Sequence, residues 1–262
     1  MDIIYSLLLG ALQGITEFLP VSSSAHLILW SSFVNNEPLP IYLNIALHLG
    51  TLSAVLIFFW RDWLKIGVAC FNYVTKGTKS FESHVLLPAI IVGSIPAGVV
   101  GVLWQDSIES IFHHPSTTIF PLAFVGIALW YVDKKCSSQK NIKQLSLLEA
   151  FMIGVFQAMA LIPGVSRSGI TILAGRLYGF TRHDAAKFSF MLGTPAMAGA
   201  ALLNAKNILT NMGHPEFYLG FVSSMVVGCL TIGLLLKFIV RFGFGVFAVY
   251  RILLAIVLLL IL

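Results

Sequence analysis

A polar cluster that occurs twice is the feature that most constrains this chain. Residues 10–26 read GALQGITEFLPVSSSAH, and residues 154–170 read GVFQAMALIPGVSRSGI. Five residues of the first segment recur 144 positions later: Gly10, Gln13, Val21, Ser22 and Ser24. The triplet Leu49-Gly50-Thr51 also recurs, as residues 192–194. A twofold repeat whose halves each contain a polar segment broken by Pro or Gly predicts a membrane protein with two broken hairpins.

The composition agrees with a membrane protein. The chain has 262 residues, of which 58% are hydrophobic and only 10% are charged, whereas soluble domains carry about 25% charged residues. The net charge of +5 does not indicate nucleic acid binding, so no nucleic acid partner is expected. Cys70, Cys136 and Cys229 are scattered without metal-ligand spacing and are interpreted as plain thiols.

Six stretches are long and apolar enough to cross about 30 Å of hydrocarbon. They are residues 41–60, 85–104, 117–132, 185–203, 217–236 and 243–262. The expected fold class is therefore an all-α polytopic membrane protein with six transmembrane helices. The polar clusters lie outside these stretches and need a separate explanation.

The distribution of Lys and Arg predicts the orientation of the chain. Of its 16 basic residues, 13 fall on one side of the membrane if the first span begins outside. Those residues are Arg61, Lys65, Lys76, Lys79, Lys134, Lys135, Lys140, Lys143, Arg176, Arg182, Lys187, Lys237 and Arg241. The opposite side holds only Lys206, while Arg167 and Arg251 lie in apolar surroundings. The positive-inside rule then places the basic loops in the cytoplasm and both termini outside.

This orientation predicts an inverted repeat within one membrane domain, residues 1–262. Residues 1–40 must begin and end outside, and residues 145–180 must begin and end in the cytoplasm, so each forms a re-entrant hairpin. Repeat one covers about 1–132, a cytoplasmic linker about 133–144, and repeat two about 145–262. Two broken hairpins that meet near the midplane are a known way to build a buried polar site.

The first hairpin contains a carboxylate that needs a partner. Gln13 and Glu17 are four residues apart and share one helix face. Ionised carboxylates inside a membrane are unfavourable by several kcal/mol unless they meet a cation or a metal. Ser22, Ser23 and Ser24 follow Pro20 and precede a helix that contains His26. Hydroxyls at a helix N-terminus favour a phosphate site, and the alternative is helix capping alone.

The second hairpin contains a cation in a similar position. Arg167 lies between Ser166 and Ser168, and Gly169 and Thr171 follow in the helix that restarts there. The planar guanidinium suits phosphate oxygens, and the alternative is an arginine that extends to the membrane surface. Carboxylate, imidazole, guanidinium and hydroxyls together favour phosphoryl chemistry, with a carboxylate for a divalent cation.

Two further polar residues in apolar segments give weaker signals. His48 lies about a third of the way into the first span and is interpreted as a packed, hydrogen-bonded histidine. Arg251 in the last span is interpreted as a structural partner for a carboxylate or as an arginine that extends to the surface.

The two segments resemble the signature motifs of the undecaprenyl-diphosphate phosphatase family, also called the bacitracin-resistance family. QGITEFLPVSSSAH is similar to (E/Q)xxxE followed by Pro, a serine run and His, and PGVSRSGIT is similar to PGxSRSxxT. The resemblance covers essentially the whole chain. It implies hydrolysis of undecaprenyl diphosphate to undecaprenyl phosphate and inorganic phosphate, which recycles the lipid carrier of cell-wall peptidoglycan. It also implies a homodimer with an inverted-repeat fold, an active site on the outer, periplasmic side of the bacterial plasma (inner) membrane, and a divalent cation.

The resemblance also implies roles for individual residues. Glu17 matches the essential acid of the family, His26 its essential histidine, and Arg167 its phosphate-binding arginine. The matching hydroxyls belong to Ser22, Ser23, Ser166 and Thr171. Gln13 stands where many members have Glu, and Ala25 where Gly often precedes the His.

These roles combine into one expected mechanism. Glu17 holds Mg²⁺ or Ca²⁺ with Gln13 as a neutral ligand, and Arg167 binds the terminal phosphate. The hydroxyls of Ser22, Ser166, Ser168 and Thr171 and the Gly169 N–H are expected to contact the substrate. Ser23 or a water attacks, and His26 serves as base or acid. A phosphoserine, a phosphohistidine at His26 and direct attack by water all remain open.

A transporter is the alternative class. Inverted repeats with broken helices are typical of secondary transporters, so an anionic lipid or an organic anion would be carried instead. Release of phosphate from a lipid diphosphate separates the two classes, since a transporter leaves the substrate intact.

Reporter fusions test the predicted orientation. With both termini outside, a C-terminal alkaline phosphatase fusion should be active and a C-terminal green fluorescent protein fusion should be dark, because each reporter matures on one side only. The asymmetry of the basic loops is the reason for this expectation. A fluorescent and phosphatase-negative pair of fusions would reverse the topology and remove the argument for re-entrant hairpins.

Overall fold

The computed structural model describes residues 3–31, 39–112, 114–136, 139–211 and 213–261. Twelve α-helices contain most of these residues, and the described residues form no strand beyond an isolated bridge between Lys140 and Phe180. The helices are α1 (Ile3–Thr16), α2 (Ser23–Trp30), α3 (Ile41–Phe58), α4 (Trp60–Lys76), α5 (Leu87–Phe112), α6 (Ile119–Lys135), α7 (Leu147–Ala158), α8 (Arg167–Leu177), α9 (Arg182–Leu203), α10 (Ala205–Asn211), α11 (Pro215–Phe242) and α12 (Gly245–Ile261). The prediction of an all-α membrane protein is confirmed.

Five helices in the described ranges are long and apolar enough to cross a membrane. They are Ile41–Phe58, His84–Trp104, Pro115–Lys135, Arg182–Leu203 and Pro215–Phe242. These correspond to five of the six predicted spans. The sixth, predicted at 243–262, corresponds to α12, an apolar helix of 17 residues. At 1.5 Å per residue such a helix covers about 26 Å, slightly less than the hydrocarbon core of about 30 Å.

Two helix–turn–helix units contain the repeated polar clusters. In the first unit α1 is followed by a turn and α2, and in the second α7 is followed by a turn and α8. Ser22 and Ser166 directly precede the second helix of each unit, with positive φ angles of 73° and 72°. Positive φ is uncommon for residues other than Gly. The two turns thus share an unusual backbone conformation at matching positions. Residues 32–38 of the first predicted hairpin lie outside the described residues.

Two glycines that match in the repeat lie at close helix contacts. α1 packs against α11, and α7 packs against α5. A Cβ on Gly10 would lie 2.6 Å from the Ser223 Cβ, and a Cβ on Gly154 would overlap the backbone of Gly93. Small residues let helix backbones approach closely in membranes, where the hydrophobic effect provides little attraction between helices. The first helix of each unit is thereby fixed against a long helix from the other half of the chain.

Charged residues that were predicted to share the cytoplasmic side contact one another. The Lys187 Nζ donates a hydrogen bond of 2.7 Å to the Asp62 Oδ1, which joins α9 to α4. Lys140 and Glu149 form another ion pair between the linker and α7. The contact of Lys187 with Asp62, 125 positions apart in the chain, shows that the starts of α4 and α9 lie at the same end of the helix bundle.

A buried ion-pair cluster lies at that end as well. The Asp133 Oδ1 accepts from the Arg176 Nε at 3.1 Å and from the Arg182 Nε at 2.9 Å. Arg176 was predicted in a cytoplasmic loop, but it belongs to the last turn of α8 and is only 1% exposed. Two guanidinium groups around one carboxylate join the ends of α6 and α8 to the start of α9.

Arg251 on α12 does not extend to the surface, and among the described residues its hydrogen-bond acceptors are backbone carbonyls and not a carboxylate. It is 0% exposed, and its guanidinium donates hydrogen bonds of 2.7–3.2 Å to five backbone carbonyl oxygens. The acceptors belong to Pro20, Pro121, Leu122, Gly164 and Val165. Both interpretations of Arg251 from the sequence are therefore wrong, because the carbonyl oxygens of irregular backbone satisfy the buried guanidinium.

The position of these carbonyls explains the role of Arg251. Pro20 belongs to the turn of the first unit, and Gly164 and Val165 belong to the turn of the second. Carbonyls outside a helix need other donors when they are buried away from water. One side chain supplies these donors to both turns and joins them to each other.

We expect Arg251→Lys to destabilise the protein strongly. A lysine ammonium has three donors on one nitrogen and cannot reach the same five carbonyls. Buried groups left without partners are unfavourable by about 1–3 kcal/mol each, so a loss of about 2–5 kcal/mol in the free energy of unfolding is expected. The thermal unfolding midpoint of purified protein in detergent measures this loss. Arg241→Lys, at an exposed position on α11, is the matched control, and equal midpoints for the two variants would contradict the assigned role.

Candidate active site

Glu17 and Arg167 join the two turns at the centre of the site. The Arg167 Nη2 donates to the Glu17 Oε1 at 2.5 Å, and the two side chains are 15% and 7% exposed. The residues are 150 positions apart in the chain. The Phe18 ring, next to Glu17, packs edge-on against Phe190 of α9 at 5.4 Å between centroids. The predicted carboxylate and guanidinium therefore meet directly, and each neutralises the other.

The second oxygen of Glu17 accepts two more hydrogen bonds from the first unit. The Ser23 Oγ donates to the Glu17 Oε2 at 2.7 Å, and the Gln13 Nε2 donates to the same oxygen at 3.0 Å. Gln13 reaches Glu17 because the two are four residues apart at the end of α1. Ser23 lies at the start of α2, so the turn at Pro20 brings the two helix ends together. Both oxygens of the carboxylate are thus occupied.

The serines that precede α2 and α8 cap these helices. The Ser22 Oγ accepts from the Ala25 N–H at 3.4 Å, and the Ser166 Oγ accepts from the Gly169 N–H at 3.1 Å. Each hydroxyl also lies 3.2 Å from a second one, at Ser24 and at Ser168. Both serines therefore cap the helices that they precede. Residues held in rare backbone conformations cluster at functional sites, and these two caps fit that tendency.

The remaining predicted hydroxyls of the second unit face the protein interior. The Ser168 Oγ donates to the Leu19 carbonyl at 3.1 Å. The Thr171 Oγ1 donates to the Arg167 carbonyl at 2.7 Å and lies 2.6 Å from the Ser189 Oγ. Their partners are protein groups, so these hydroxyls fix the start of α8 and its position beside the first turn.

Arg167 lies in a space that a glycine leaves open. A Cβ on Gly193 would overlap the Arg167 Nη1, so any larger residue there would displace the guanidinium. The Arg167 Nη2 also approaches the Met197 Sδ at 3.3 Å. Among the described residues the buried Arg167 Nη1 has no hydrogen-bond partner. Within the described residues, the guanidinium therefore keeps one donor nitrogen unused.

His26 is bonded through both ring nitrogens. Its Nδ1 lies 2.7 Å from the Ser22 carbonyl, and its Nε2 lies 2.6 Å from the Tyr250 hydroxyl of α12. His26 is three residues after Ser23 on α2, so the two side chains share one helix face. The predicted imidazole therefore lies one helical turn from Ser23, whose hydroxyl bonds to Glu17.

The site offers few oxygen ligands for a divalent cation. The Gln13 side chain is 0% exposed, and its Oε1 has no partner among the described residues. The described residues contain no group of three or more His, Cys, Asp or Glu that could hold a metal ion. Mg²⁺ is often bound by one or two carboxylates together with substrate phosphates and water. Glu17 and Gln13 fit a site of this kind, in which the substrate and water supply the other ligands.

His48 is half-buried on α3, and its Nδ1 lies 2.9 Å from the Asn44 carbonyl one turn earlier. This contact matches the interpretation of His48 as a hydrogen-bonded histidine within a helix.

Sequence reasoning missed three contacts of the site. Tyr250 and Met197 lie in apolar helices where an aromatic or a thioether is ordinary, so no pattern marks them. Gly193 carried a signal, since it belongs to the repeated triplet at residues 49–51 and 192–194. Only the structure shows that this glycine makes room for Arg167.

Comparison with known proteins places the whole chain in one family. Residues 6–257 match the family described as bacitracin resistance protein BacA. An undecaprenyl-diphosphatase of Thermodesulfovibrio yellowstonii is 41% identical, over 98% of this chain and 96% of its own length. One of Rubrobacter xylanophilus is 39% identical, over 97% and 96%. One of Thermomicrobium roseum is 41% identical, over 100% and 98%.

The family match covers nearly the whole chain and includes both polar clusters. Each of these relatives aligns over at least 96% of its own length. This chain is therefore a multi-pass helical membrane protein that belongs to the bacitracin resistance protein BacA family.

Proposed function

We propose that this protein hydrolyses undecaprenyl diphosphate to undecaprenyl phosphate and inorganic phosphate. The relatives that align over the whole chain are named undecaprenyl-diphosphatase. The observation that carries the proposal is the Glu17–Arg167 pair, which places an acid from one turn and a phosphate-binding group from the other within 2.5 Å. A buried site that combines these groups with a hydroxyl and an imidazole suits phosphoryl transfer.

On substrate binding, the terminal phosphate would replace Glu17 as the partner of Arg167. In the structure its guanidinium neutralises Glu17, and its buried Nη1 has no hydrogen-bond partner among the described residues. A terminal phosphate offers several oxygens in a geometry that the planar guanidinium can bind through two parallel hydrogen bonds. The positive charge then lies where negative charge develops on the transferred phosphoryl group.

Attack on the terminal phosphorus would come from Ser23 or from a water. Ser23 is oriented by its hydrogen bond to the Glu17 Oε2, and His26 lies on the same face of α2. The proton of an attacking water would pass towards His26 as the bond to the lipid phosphate breaks, whereas the Ser23 hydroxyl would give its proton to the Glu17 carboxylate that it already contacts. Undecaprenyl phosphate leaves as an anion, and if Ser23 has attacked, a water then releases the phosphate from the serine.

We include a divalent cation, Mg²⁺ or Ca²⁺, in this proposal. Glu17 and Gln13 would hold it, and phosphate oxygens and water would complete its ligands. When bound, it supplies positive charge that neutralises the phosphate oxygens. The ion pair with Arg167 occupies the carboxylate in the structure, so cation binding is expected to accompany substrate binding.

We also propose that the two halves are inverted in the membrane and that both helix–turn–helix units are re-entrant. The matching φ angles of Ser22 and Ser166 support equivalent turns. The contacts of α1 with α11 and of α7 with α5 support interlocked halves. The ion pairs at the basic end support a cytoplasmic position for that end and a site open to the outer side of the plasma membrane. A homodimer is the assembly expected by resemblance.

Replacing Arg167 with Lys tests the phosphate clamp. The charge remains, but the planar fork is lost, so kcat/KM should fall at least about tenfold, since a charge-assisted hydrogen bond is worth about 1.5–3 kcal/mol. Phosphate release from a short-chain prenyl diphosphate measures the rate. Arg61→Lys, on the exposed face of α4, is the matched control. Full activity of Arg167→Lys would exclude a bidentate contact, and no phosphate release by the unchanged protein would favour a transporter.

A metal titration separates the roles of Glu17 and His26. Glu17→Gln keeps size and hydrogen bonding but removes the charge that holds a cation, so its activity should be very low and partly restored by excess Mg²⁺ or Ca²⁺. His26→Ala should be nearly inactive at every metal concentration, since proton transfer contributes about 10²–10⁴-fold. Metal rescue of His26→Ala alone would mean that the roles are exchanged or that the cation binds elsewhere.

A further inference from the structure

The base expected in the reaction has no free nitrogen. The Ser22 carbonyl can only accept, so the His26 Nδ1 at 2.7 Å must carry a hydrogen and donate it. A neutral imidazole then has its lone pair on Nε2. The group 2.6 Å from Nε2 is the Tyr250 hydroxyl, which donates to that lone pair. Both ring nitrogens are therefore occupied by protein groups.

Tyr250 is well placed to stand between His26 and the substrate. Tyr250 is 44% exposed as a residue, and its ring plane lies within 7° of parallel to the imidazole, with 5.8 Å between the centroids. The next residue, Arg251, is fully buried and bonded to both turns. The backbone of α12 is thus fixed beside both turns, while the Tyr250 hydroxyl contacts His26.

We propose that Tyr250 relays the proton between the attacking water and His26. As the water oxygen bonds to phosphorus, its proton passes to the Tyr250 Oη, and the phenol proton passes to the His26 Nε2. The phenol is neutral before and after the step, and the imidazolium keeps its Nδ1 hydrogen on the Ser22 carbonyl. This step is shared by direct attack of water and by hydrolysis of a phosphoserine. It rests on the proposed hydrolysis.

Tyr250→Phe is the direct test, because it keeps the ring and removes only the hydroxyl. We expect kcat for phosphate release from a short-chain prenyl diphosphate to fall about tenfold to a hundredfold, with KM changed less than about twofold, since the phenol would act in the transition state only. Tyr131→Phe, on the exposed side of α6, is the matched control. An unchanged or increased kcat would overturn the relay, because His26 would then act without Tyr250.

A double-mutant comparison distinguishes a relay from general support of the fold. If Tyr250 acts only through His26, then Tyr250→Phe should have no further effect in a His26→Ala background. An equal loss of residual activity in both backgrounds would assign Tyr250 a structural role and overturn the proposal.

A spectroscopic measurement tests the contact between the Tyr250 hydroxyl and the His26 Nε2 independently of catalysis. In protein labelled with ¹⁵N-histidine, the His26 Nε2 resonance, assigned by its loss in His26→Ala, should shift in Tyr250→Phe and stay fixed in Tyr131→Phe. A resonance that does not respond would show that the hydroxyl does not bond to Nε2, which overturns the relay. If the unchanged protein released no phosphate, the proposed hydrolysis and the relay would fail together, while a responding resonance would still establish the Tyr250–His26 contact.

Discussion

The need to satisfy backbone carbonyls in two buried turns is the constraint on which the rest of this structure depends. A chain inside a membrane can leave the helical state only where other groups replace the lost hydrogen bonds. Arg251 does this for both turns at once, through the carbonyls of Pro20, Gly164 and Val165. Glu17 and Arg167 lie at helix ends beside those turns. Their relative position therefore depends on Arg251, which belongs to neither of the two polar clusters.

The same principle explains why the central ion pair is tolerated. An isolated carboxylate or guanidinium would be strongly unfavourable in this environment, but each serves as the counterion of the other. The remaining oxygen of Glu17 is satisfied by Ser23 and Gln13. The Arg167 Nη1 and the Gln13 Oε1 have no hydrogen-bond partner among the described residues. Buried polar atoms without partners call for an explanation, and the proposed function offers one, a bound ligand.

Much of the fold could be predicted from the sequence, because the lengths of the apolar stretches and the uneven distribution of Lys and Arg between the loops can be read directly from the chain. Five of the predicted spans are long apolar helices, and the charges assigned to one side pair with each other at one end. The meeting of Glu17 and Arg167 could be anticipated because both are ions in apolar segments. The role of Arg251 could not, since hydrogen bonds to backbone carbonyls leave no pattern in the residues that provide them. The contact of Tyr250 with His26 joins residues 224 positions apart and depends on how α12 packs.

The ion pair also bears on the history of the chain. Its carboxylate comes from the first half of the chain and its guanidinium from the second. The matching positions of the repeat hold neither charge, since Leu161 corresponds to Glu17 and Ser23 corresponds to Arg167. If the halves arose by duplication, a single ancestral copy with either sequence would have carried one unpaired ion in the membrane. The present division of charge then requires two different copies, since each supplies the counterion that the other lacks.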